Sequence, residues 1–186
     1  VIDLDHLFET TVRLFAERGY AGTATQEIAK RAGVNEATLF RRFGNKANLL
    51  ETALLHCFSN VPFSRLHQSG ELRTDLLEIA DSYKKTNMAY GGVAITLLNE
   101  GPTHPELSQV IDALKQNLKG ATKIIAYHQA EGNLKAGNPF QTLLALLSPL
   151  VVGGFWMRMG FNEQGVELDV ESLVDAFLDG HRNTAT

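Results

Sequence analysis

Basic side chains are concentrated in residues 25–46, and their chemistry suits binding to phosphate. This stretch holds five lysines and arginines and two glutamates, a net charge of +3, whereas the whole chain of 186 residues carries −4. The remainder therefore sums to −7. Lysine and arginine neutralise the phosphates of nucleic acids, and a guanidinium also bonds the O6 and N7 atoms of guanine together. This asymmetry indicates that one short stretch approaches DNA while the rest of the molecule is weakly repelled.

The first half of the basic stretch has the pattern of a short helix ending in a turn. Over residues 25–32, Ile28, Ala29 and Ala32 form a narrow apolar stripe. Thr23 or Ala24 is expected at the N-cap of this helix, and only Thr23 is able to cap it through a side chain. Gly33 ends the helix, because a residue without Cβ readily adopts the left-handed conformation of a tight helix-helix turn. A second helix is expected to follow at once.

The second helix is expected to begin at Asn35, a good N-cap residue. Leu39 and Phe43, four residues apart, turn inward, which leaves a polar and basic outer side. The stretch as a whole predicts a helix-turn-helix with a basic outer edge. An ordinary pair of core helices with a solvated, charged face is the alternative explanation of the same pattern.

The run at residues 28–50 resembles the DNA-binding segment of the TetR family of bacterial regulators. It combines an Ile-Ala pair, an AGV turn, a Thr-Leu-Phe triplet, a further aromatic and Lys-x-x-Leu-Leu at the family's spacings. The resemblance implies contacts to double-stranded DNA from both helices and from the start of the next helix. The predicted DNA-binding residues are Thr25, Gln26, Asn35, Glu36, Ala37, Thr38, Phe40, Arg41, Arg42 and Lys46.

Individual positions carry different expected roles. Arg41 and Arg42 point about 100° apart on a helix, so we expect one to read a base and the other to hold phosphate. Lys46 is expected to meet a phosphate at the N-terminus of the next helix. Phe40 stands where the family more commonly has tyrosine, which removes a hydroxyl worth roughly 1–2 kcal/mol. Ala47 replaces the usual acidic residue and weakens the cap of that helix.

The rest of the chain predicts an all-α fold of about nine helices. Residues 3–18 have helical apolar spacing and end at Gly19, which completes a three-helix DNA-binding unit. We expect a helix-turn-helix DNA-binding domain at residues 1–46 and a larger helical effector-binding and dimerisation domain at residues 47–186. The glycine pair Gly91 and Gly92 is expected to interrupt one helix of the second domain.

Composition narrows the class of protein. The single cysteine, Cys57, cannot form an internal disulfide and is expected to be an apolar filler, which favours a cytoplasmic protein. No histidine pairing typical of a metal site and no cofactor motif is present in the sequence. Glu100, His104 and Glu106 lie close enough to suggest acid-base catalysis, yet they accompany a Gly-Pro-Thr helix start and no nucleophile. We therefore expect no enzyme activity, no cofactor and no metal. The chain also begins with Val1, so residues before it are expected.

An uncharged segment at residues 142–157 raises the question of a membrane span. At about 16 residues, with Pro149 inside it, it falls short of the roughly 20 that spanning requires. We expect no membrane association but a buried or subunit-facing helix, where Gly153 and Gly154 permit close approach. The resemblance implies a homodimer through the last two helices, which presents two recognition helices to a palindromic operator. The alternative is a central core helix of a monomer.

Two sets of side chains in the second domain, each spaced to lie along one face of a helix, are candidates for binding a small-molecule effector. Both combine apolar bodies with polar tips, as small-molecule sites do. The predicted effector-binding residues are Tyr83, Asn87, Tyr90, Asn117, Ile124, His128, Phe155 and Trp156. Aromatic stripes of this kind also occur in plain cores. The expected function is a repressor released from its operator by a small, largely apolar effector. The alternatives are a DNA-binding protein without an effector, acting in DNA architecture or partner binding, and an all-helical enzyme.

Overall fold

The computed structural model describes residues 2–161 and 168–183. These residues form eight α-helices and no strand, apart from one isolated bridge between Leu134 and Arg182. The helices are α1 (Leu4–Gly22), α2 (Thr25–Arg31), α3 (Glu36–Phe43), α4 (Lys46–Asn60), α5 (Leu72–Glu100), α6 (Ser108–Ala130), α7 (Pro139–Arg158) and α8 (Val170–His181). Short 3₁₀ helices lie at Pro62–Ser64, Gly101–Thr103 and Pro105–Leu107. The all-α class with an N-terminal helix-turn-helix is confirmed.

The chain divides into two compact units. The first comprises Val1–Asn60 and Gly92–Lys115, and the second comprises Val61–Gly91 and Gln116–Thr186. The last residues of α5 and the first of α6 therefore belong to the unit that contains α1 to α4. The functional boundary expected after residue 46 stays a prediction.

The first unit is built on α1, which packs mainly against α4. Asp3 caps α1 by accepting a hydrogen bond from the backbone N–H of His6 over 3.1 Å. Gly19 has φ 68° and ψ −175°, so the regular helix is kinked at the residue where its end was predicted, and one further turn reaches Gly22. The fully buried large side chains of this unit include Leu7, Leu14, Phe15, Ile28, Leu39, Leu49, Leu50, Leu54, Phe58 and Leu97.

Helix α5 continues through the glycine pair, so the predicted interruption at Gly91 and Gly92 is wrong. Its 29 residues form one helix, and neither glycine has a positive φ. A Cβ at Gly91 would meet the ends of the Asn87 and Arg158 side chains, which lie close to this part of the helix. A helix-interior glycine costs only about 1 kcal/mol relative to alanine, which a helix of this length tolerates.

The second unit has a core formed by both of its chain segments. On α7, Leu143, Leu146, Leu147 and Leu150 are buried in this core, and Asn138 caps the helix. The helix is 20 residues long and contains an 18-residue window of mean hydropathy 1.6, so the expected shortfall in length is wrong and, by length and composition alone, α7 is able to cross a membrane. The core helix of a soluble protein passes the same test, and four leucines of α7 pack in this core.

Candidate nucleic-acid interface

The helix-turn-helix is assembled by α2, a turn at Gly33 with φ 67°, and α3. The Asn35 side chain accepts a hydrogen bond from the backbone N–H of Ala37 over 2.8 Å, which confirms the predicted cap of α3. Of the two residues expected at the N-cap of α2, Ala24 takes the position rather than Thr23. Thr23 is buried and donates instead to the backbone oxygen of Gly19 over 2.6 Å, while Ala24 precedes α2 without a side-chain cap.

Helix α3 has one face in the core and one face in solvent. Leu39 is fully buried, and the half-buried ring of Phe43 packs edge-on against Phe8 with centroids 6.1 Å apart. Phe40 is 46% exposed, a large apolar surface on a solvated helix. The exposed predicted contact residues of the helix-turn-helix are Gln26, Asn35, Ala37, Phe40, Arg41 and Arg42. This side of α3 is therefore open to a ligand.

The basic residues of the motif differ in how free their charges are. Arg31 binds Glu27 over 2.8 Å and Glu17 over 3.2 Å, and the hydrogen bond to Glu27 is the main reason that the pKa of Arg31 is raised. Lys30, Arg41 and Arg42 are exposed. Arg41 has no hydrogen bond or ion pair with the described part of the chain, and the Arg42 guanidinium carbon lies 5.9 Å from the Phe43 ring centroid. Arg41 and Arg42 thus present free guanidinium groups on the open side of α3.

Two predicted contact residues bind each other. The Thr25 hydroxyl donates to the Glu36 carboxylate over 2.6 Å, and both side chains are half-buried. This bond ties the start of α2 to the start of α3. Thr38 is also half-buried. The pairing of Thr25 with Glu36 links the two helices and was not expected from the sequence.

Lys46, at the start of α4, lies against the end of α1. Its Nζ atom donates to the backbone oxygen of Tyr20 over 2.6 Å, and the Ala21 oxygen is 3.4 Å away. The side chain is half-buried. Asn45 supplies the cap that Ala47 does not, since its side chain accepts from the backbone N–H of Asn48 over 2.9 Å. The phosphate contact of Lys46 stays a prediction.

Three of the predicted effector-binding residues lie on α5 in the second unit. Tyr83 and Tyr90 pack partly buried against the core, and the Tyr83 ring meets Phe63 edge-on with centroids 5.4 Å apart. Burial raises the pKa of Tyr83, although nearby Arg158 opposes this. The Asn87 amide donates to the backbone oxygen of Leu150 over 3.2 Å. These three side chains therefore face the same core.

His128 is fully buried and has partners for both ring nitrogens. Nε2 lies 2.8 Å from Asp75 Oδ2, and Nδ1 lies 3.3 Å from the Asn133 amide nitrogen. Burial by itself raises the pKa of Asp75, but its hydrogen bonds with Ser69, His128 and Gly70 outweigh burial and lower the pKa from the ordinary 3.8. His128 is thus a paired core histidine with no ring nitrogen left for an effector.

The remaining effector candidates are scattered. Ile124 is buried in the core and Asn117 is half-buried, whereas Phe155 and Trp156 are exposed. A cavity of about 620 Å³, open to solvent, lies elsewhere in the second unit. It is lined by Leu77, Glu78, Asp81, Lys84, Leu168, Asp169, Val170 and Glu171. None of the eight predicted effector-binding residues is among these described lining residues, so the effector site stays a prediction.

The three acid-base candidates surround one tyrosine of the first unit. Glu100 accepts from the backbone N–H of Tyr20, the His104 ring packs at a tilt against the Tyr20 ring with centroids 4.4 Å apart, and the Glu106 carboxylate is 3.4 Å from the Tyr20 hydroxyl. Their contacts are thus structural ones with a neighbouring helix. Over residues 2–161 and 168–183, no group of three or more histidine, cysteine or acidic side chains is arranged to hold a metal ion.

Comparison with known proteins points to one family. Residues 7–53 match the family model described as bacterial regulatory proteins, tetR family. The uncharacterized HTH-type transcriptional regulator YvkB of Bacillus subtilis (strain 168) is 45% identical over 74 residues, 39% of each chain. The biofilm operon icaADBC HTH-type negative transcriptional regulator IcaR of Staphylococcus aureus (strain Newman) is 33% identical over 54 residues, 29% of each chain. The chain thus matches less than half the length of these curated relatives.

Solved structures extend the likeness to the whole fold. A TetR family transcription regulator from Marinobacter aquaeolei VT8 superposes with a TM-score of 0.73 at 20% identity, covering 96% of this chain and 94% of the other. The TetR family transcriptional regulator PfmR from Thermus thermophilus gives a TM-score of 0.69 at 18% identity, with 93% and 94% covered. These structures share the fold. Residues 7–53 are therefore similar to the tetR family of bacterial regulatory proteins, and the whole chain shares the fold of these two TetR family regulators.

Proposed function

We propose that this protein is a sequence-specific DNA-binding transcriptional regulator that represses by occupying a palindromic operator. The observation that carries the proposal is the pair of free guanidinium groups, Arg41 and Arg42, on the open side of α3. One of them reads guanine in the major groove and the other holds a phosphate. Lys30 adds a further exposed positive charge on α2. A body with a net charge of −7 outside residues 25–46 favours docking through this face alone.

Repression is the mode that the relatives support. IcaR, which shares the N-terminal segment, is by its name a negative transcriptional regulator. A protein that covers operator DNA blocks transcription by occupancy and needs no further chemistry. A DNA-regulating protein of this class acts in the cytoplasm.

A homodimer through α7 and α8 is part of the proposal. Much of the solvent-facing surface of α7 and of residues 159–161 is apolar, an unusual surface for a monomer. The exposed large apolar residues of this face are Phe140, Leu144, Val151, Val152, Phe155, Trp156, Met157, Met159 and Phe161. Two copies joined on a two-fold axis bury this face and place two α3 helices about 34–36 Å apart, one turn of DNA.

Release by a small, largely apolar effector completes the proposed cycle. Tyr83, Asn87 and Tyr90 supply the apolar body and polar tips that such a site needs. The effector binds the DNA-incompetent arrangement more tightly, and a preference of about 100-fold supplies roughly 2.7 kcal/mol of coupling. In the alternative, a DNA-binding protein without an effector, no small molecule would change the affinity for DNA.

The proposal is tested by selecting bound sequences from random duplex DNA with the full chain. We expect a palindromic consensus bound by two copies at about 150 mM salt, near physiological ionic strength. The variant with both Arg41→Ala and Arg42→Ala should fail to enrich this consensus while its melting temperature is unchanged. If the wild-type chain enriches no sequence, or the double variant enriches the same one, the proposed function is wrong. Screening small molecules for release of the consensus then tests the effector.

A further inference from the structure

The kink in α1 leaves one backbone donor that needs a partner from elsewhere. Gly19, with φ 68° and ψ −175°, interrupts the helix, so the following N–H group, that of Tyr20, is displaced from the regular ladder. Its acceptor is the Glu100 carboxylate, whose Oε2 atom is 2.5 Å away and which belongs to the last residue of α5. The N–H group that the kink leaves unpaired therefore bonds to an acceptor 80 residues further along the chain.

Gly19 and Glu100 are sterically matched. A Cβ atom at Gly19 would overlap the Glu100 carboxylate, so the carboxylate occupies space that only glycine leaves open. The residues that follow α5 also contact this turn, because the His104 ring packs at a tilt of 31° against the Tyr20 ring with centroids 4.4 Å apart. The end of α1 is thus seated against the end of α5 within the first unit.

The opposite side of the same turn supports the DNA-binding motif. The backbone oxygen of Tyr20 accepts the hydrogen bond from Lys46 Nζ over 2.6 Å. The Gly19 oxygen accepts from Thr23, which lies two residues before the start of α2 at Thr25. Glu100 thus accepts a hydrogen bond from the backbone N–H of Tyr20, and Lys46 donates one to the backbone oxygen of Tyr20.

We infer that Glu100 is a positioning residue for DNA binding. By fixing the Tyr20 N–H group, it sets the turn from which α2 departs and on which the Lys46 ammonium is anchored. Glu100 touches no DNA in this scheme and acts through Tyr20. The inference rests on the proposed function, because it assigns Glu100 a role in seating the motif that binds DNA.

The direction in which DNA affinity changes when a negative charge is removed distinguishes this role from simple electrostatics. Glu100→Met and Glu106→Met each remove one negative charge from neighbouring parts of the first unit, and electrostatics alone predicts that both tighten DNA binding. We expect Glu106→Met to bind the selected DNA at least as tightly as the wild type. We expect Glu100→Met to bind at least about fivefold more weakly, since it loses a hydrogen bond to a charged group. Glu100→Gln keeps an oxygen acceptor and should stay within about twofold of the wild type.

Hydrogen exchange at the Tyr20 amide gives a readout that does not depend on the Met variant folding. We expect slow exchange of this amide in the wild type and in Glu100→Gln. Exchange at the rate of an unprotected amide in the wild type would overturn the inference, as would Glu100→Met binding as tightly as Glu106→Met. In the second case the wild type still binds its selected DNA, so the proposed function stands. If the wild-type chain enriches no DNA sequence at all, the proposed function itself is wrong.

Discussion

The Nζ atom of Lys46 donates to the backbone oxygen of Tyr20 over 2.6 Å and lies 4.6 Å from the centre of the Tyr20 ring. A lysine ammonium has three donors, so the contacts with Tyr20 and Ala21 leave one donor for a phosphate. The same side chain is therefore able to anchor α4 to α1 and to meet DNA. The two roles have different experimental signatures.

Replacing Lys46 with methionine should lower both DNA affinity and the salt dependence of binding. Loss of one phosphate contact reduces the slope of log affinity against log salt by about 0.9. Loss of the bond to Tyr20 costs about 1 kcal/mol of unfolding free energy. Binding titrations between roughly 50 and 200 mM salt check the first effect. The control is Lys119→Met, an exposed lysine of α6. An unchanged slope in Lys46→Met would leave only the anchoring role.

Single alanine substitutions should divide the roles of Arg41 and Arg42. Removing the base reader flattens sequence preference by about 1–3 kcal/mol at one operator position. Removing the phosphate holder weakens binding to all sequences alike and lowers the salt slope by about one unit. Competition between the selected operator and its single-base variants distinguishes the two. Equal behaviour of both variants on all sequences would mean that neither reads a base.

A charge on the exposed face of α7 should prevent pairing of two copies. Val152 is 51% exposed, and Val152→Lys places an ammonium where the proposed interface excludes water. Light scattering at micromolar concentration should show a dimer for the wild type and a monomer for Val152→Lys. The matched control is Met88→Lys, because Met88 is 66% exposed but lies on α5. A monomeric wild type would contradict the dimer, and so would a dimeric Val152→Lys.

Asp75→Asn should destabilise the chain in a pH-dependent way. The lowered pKa of Asp75 means that its ionised form stabilises the folded state. This contribution is complete above the ordinary pKa of 3.8 and is lost as the pH falls below it. We expect a loss of about 2 kcal/mol at neutral pH, since the amide of asparagine still accepts but removes the charge from the hydrogen bonds with Ser69, His128 and Gly70.

Urea unfolding of wild type and Asp75→Asn at a series of pH values measures this difference. The gap between the two should narrow as the pH falls below 3.8. Asp112→Asn is the control, because Asp112 is largely exposed and pairs with Lys115 three residues away on the same helix. A gap that is independent of pH would show that Asp75 contributes by packing alone.

Interactions between residues that are close in sequence allowed much of the helix-turn-helix to be predicted. Asn35 caps α3 and Gly33 takes a positive φ because both effects depend on residues within a few positions. Leu39 faces inward and Arg41 faces outward because the 3.6-residue period fixes their directions. For such features the short-range pattern was sufficient.

The contacts that could not be predicted from the sequence join residues that are far apart in the chain. Glu100 meets Tyr20 across 80 positions, and Asp75 meets His128 across 53. Periodicity gives the direction of a side chain relative to its own helix but not the helix it will meet. For that reason His128 was predicted to line a pocket, although its ring nitrogens are bonded within the core. The glycine pair in α5 was misjudged on the same grounds, because its packing partners were unknown.

The location of Cys57 has a practical consequence for spectroscopy. The chain's single thiol is only 5% exposed on α4, so a thiol-reactive label will attach slowly there. A cysteine introduced at exposed Ala37 would then be the preferred attachment point for a paramagnetic or fluorescent probe. In the proposed dimer, two such probes would report the distance between the two α3 helices with little signal from Cys57.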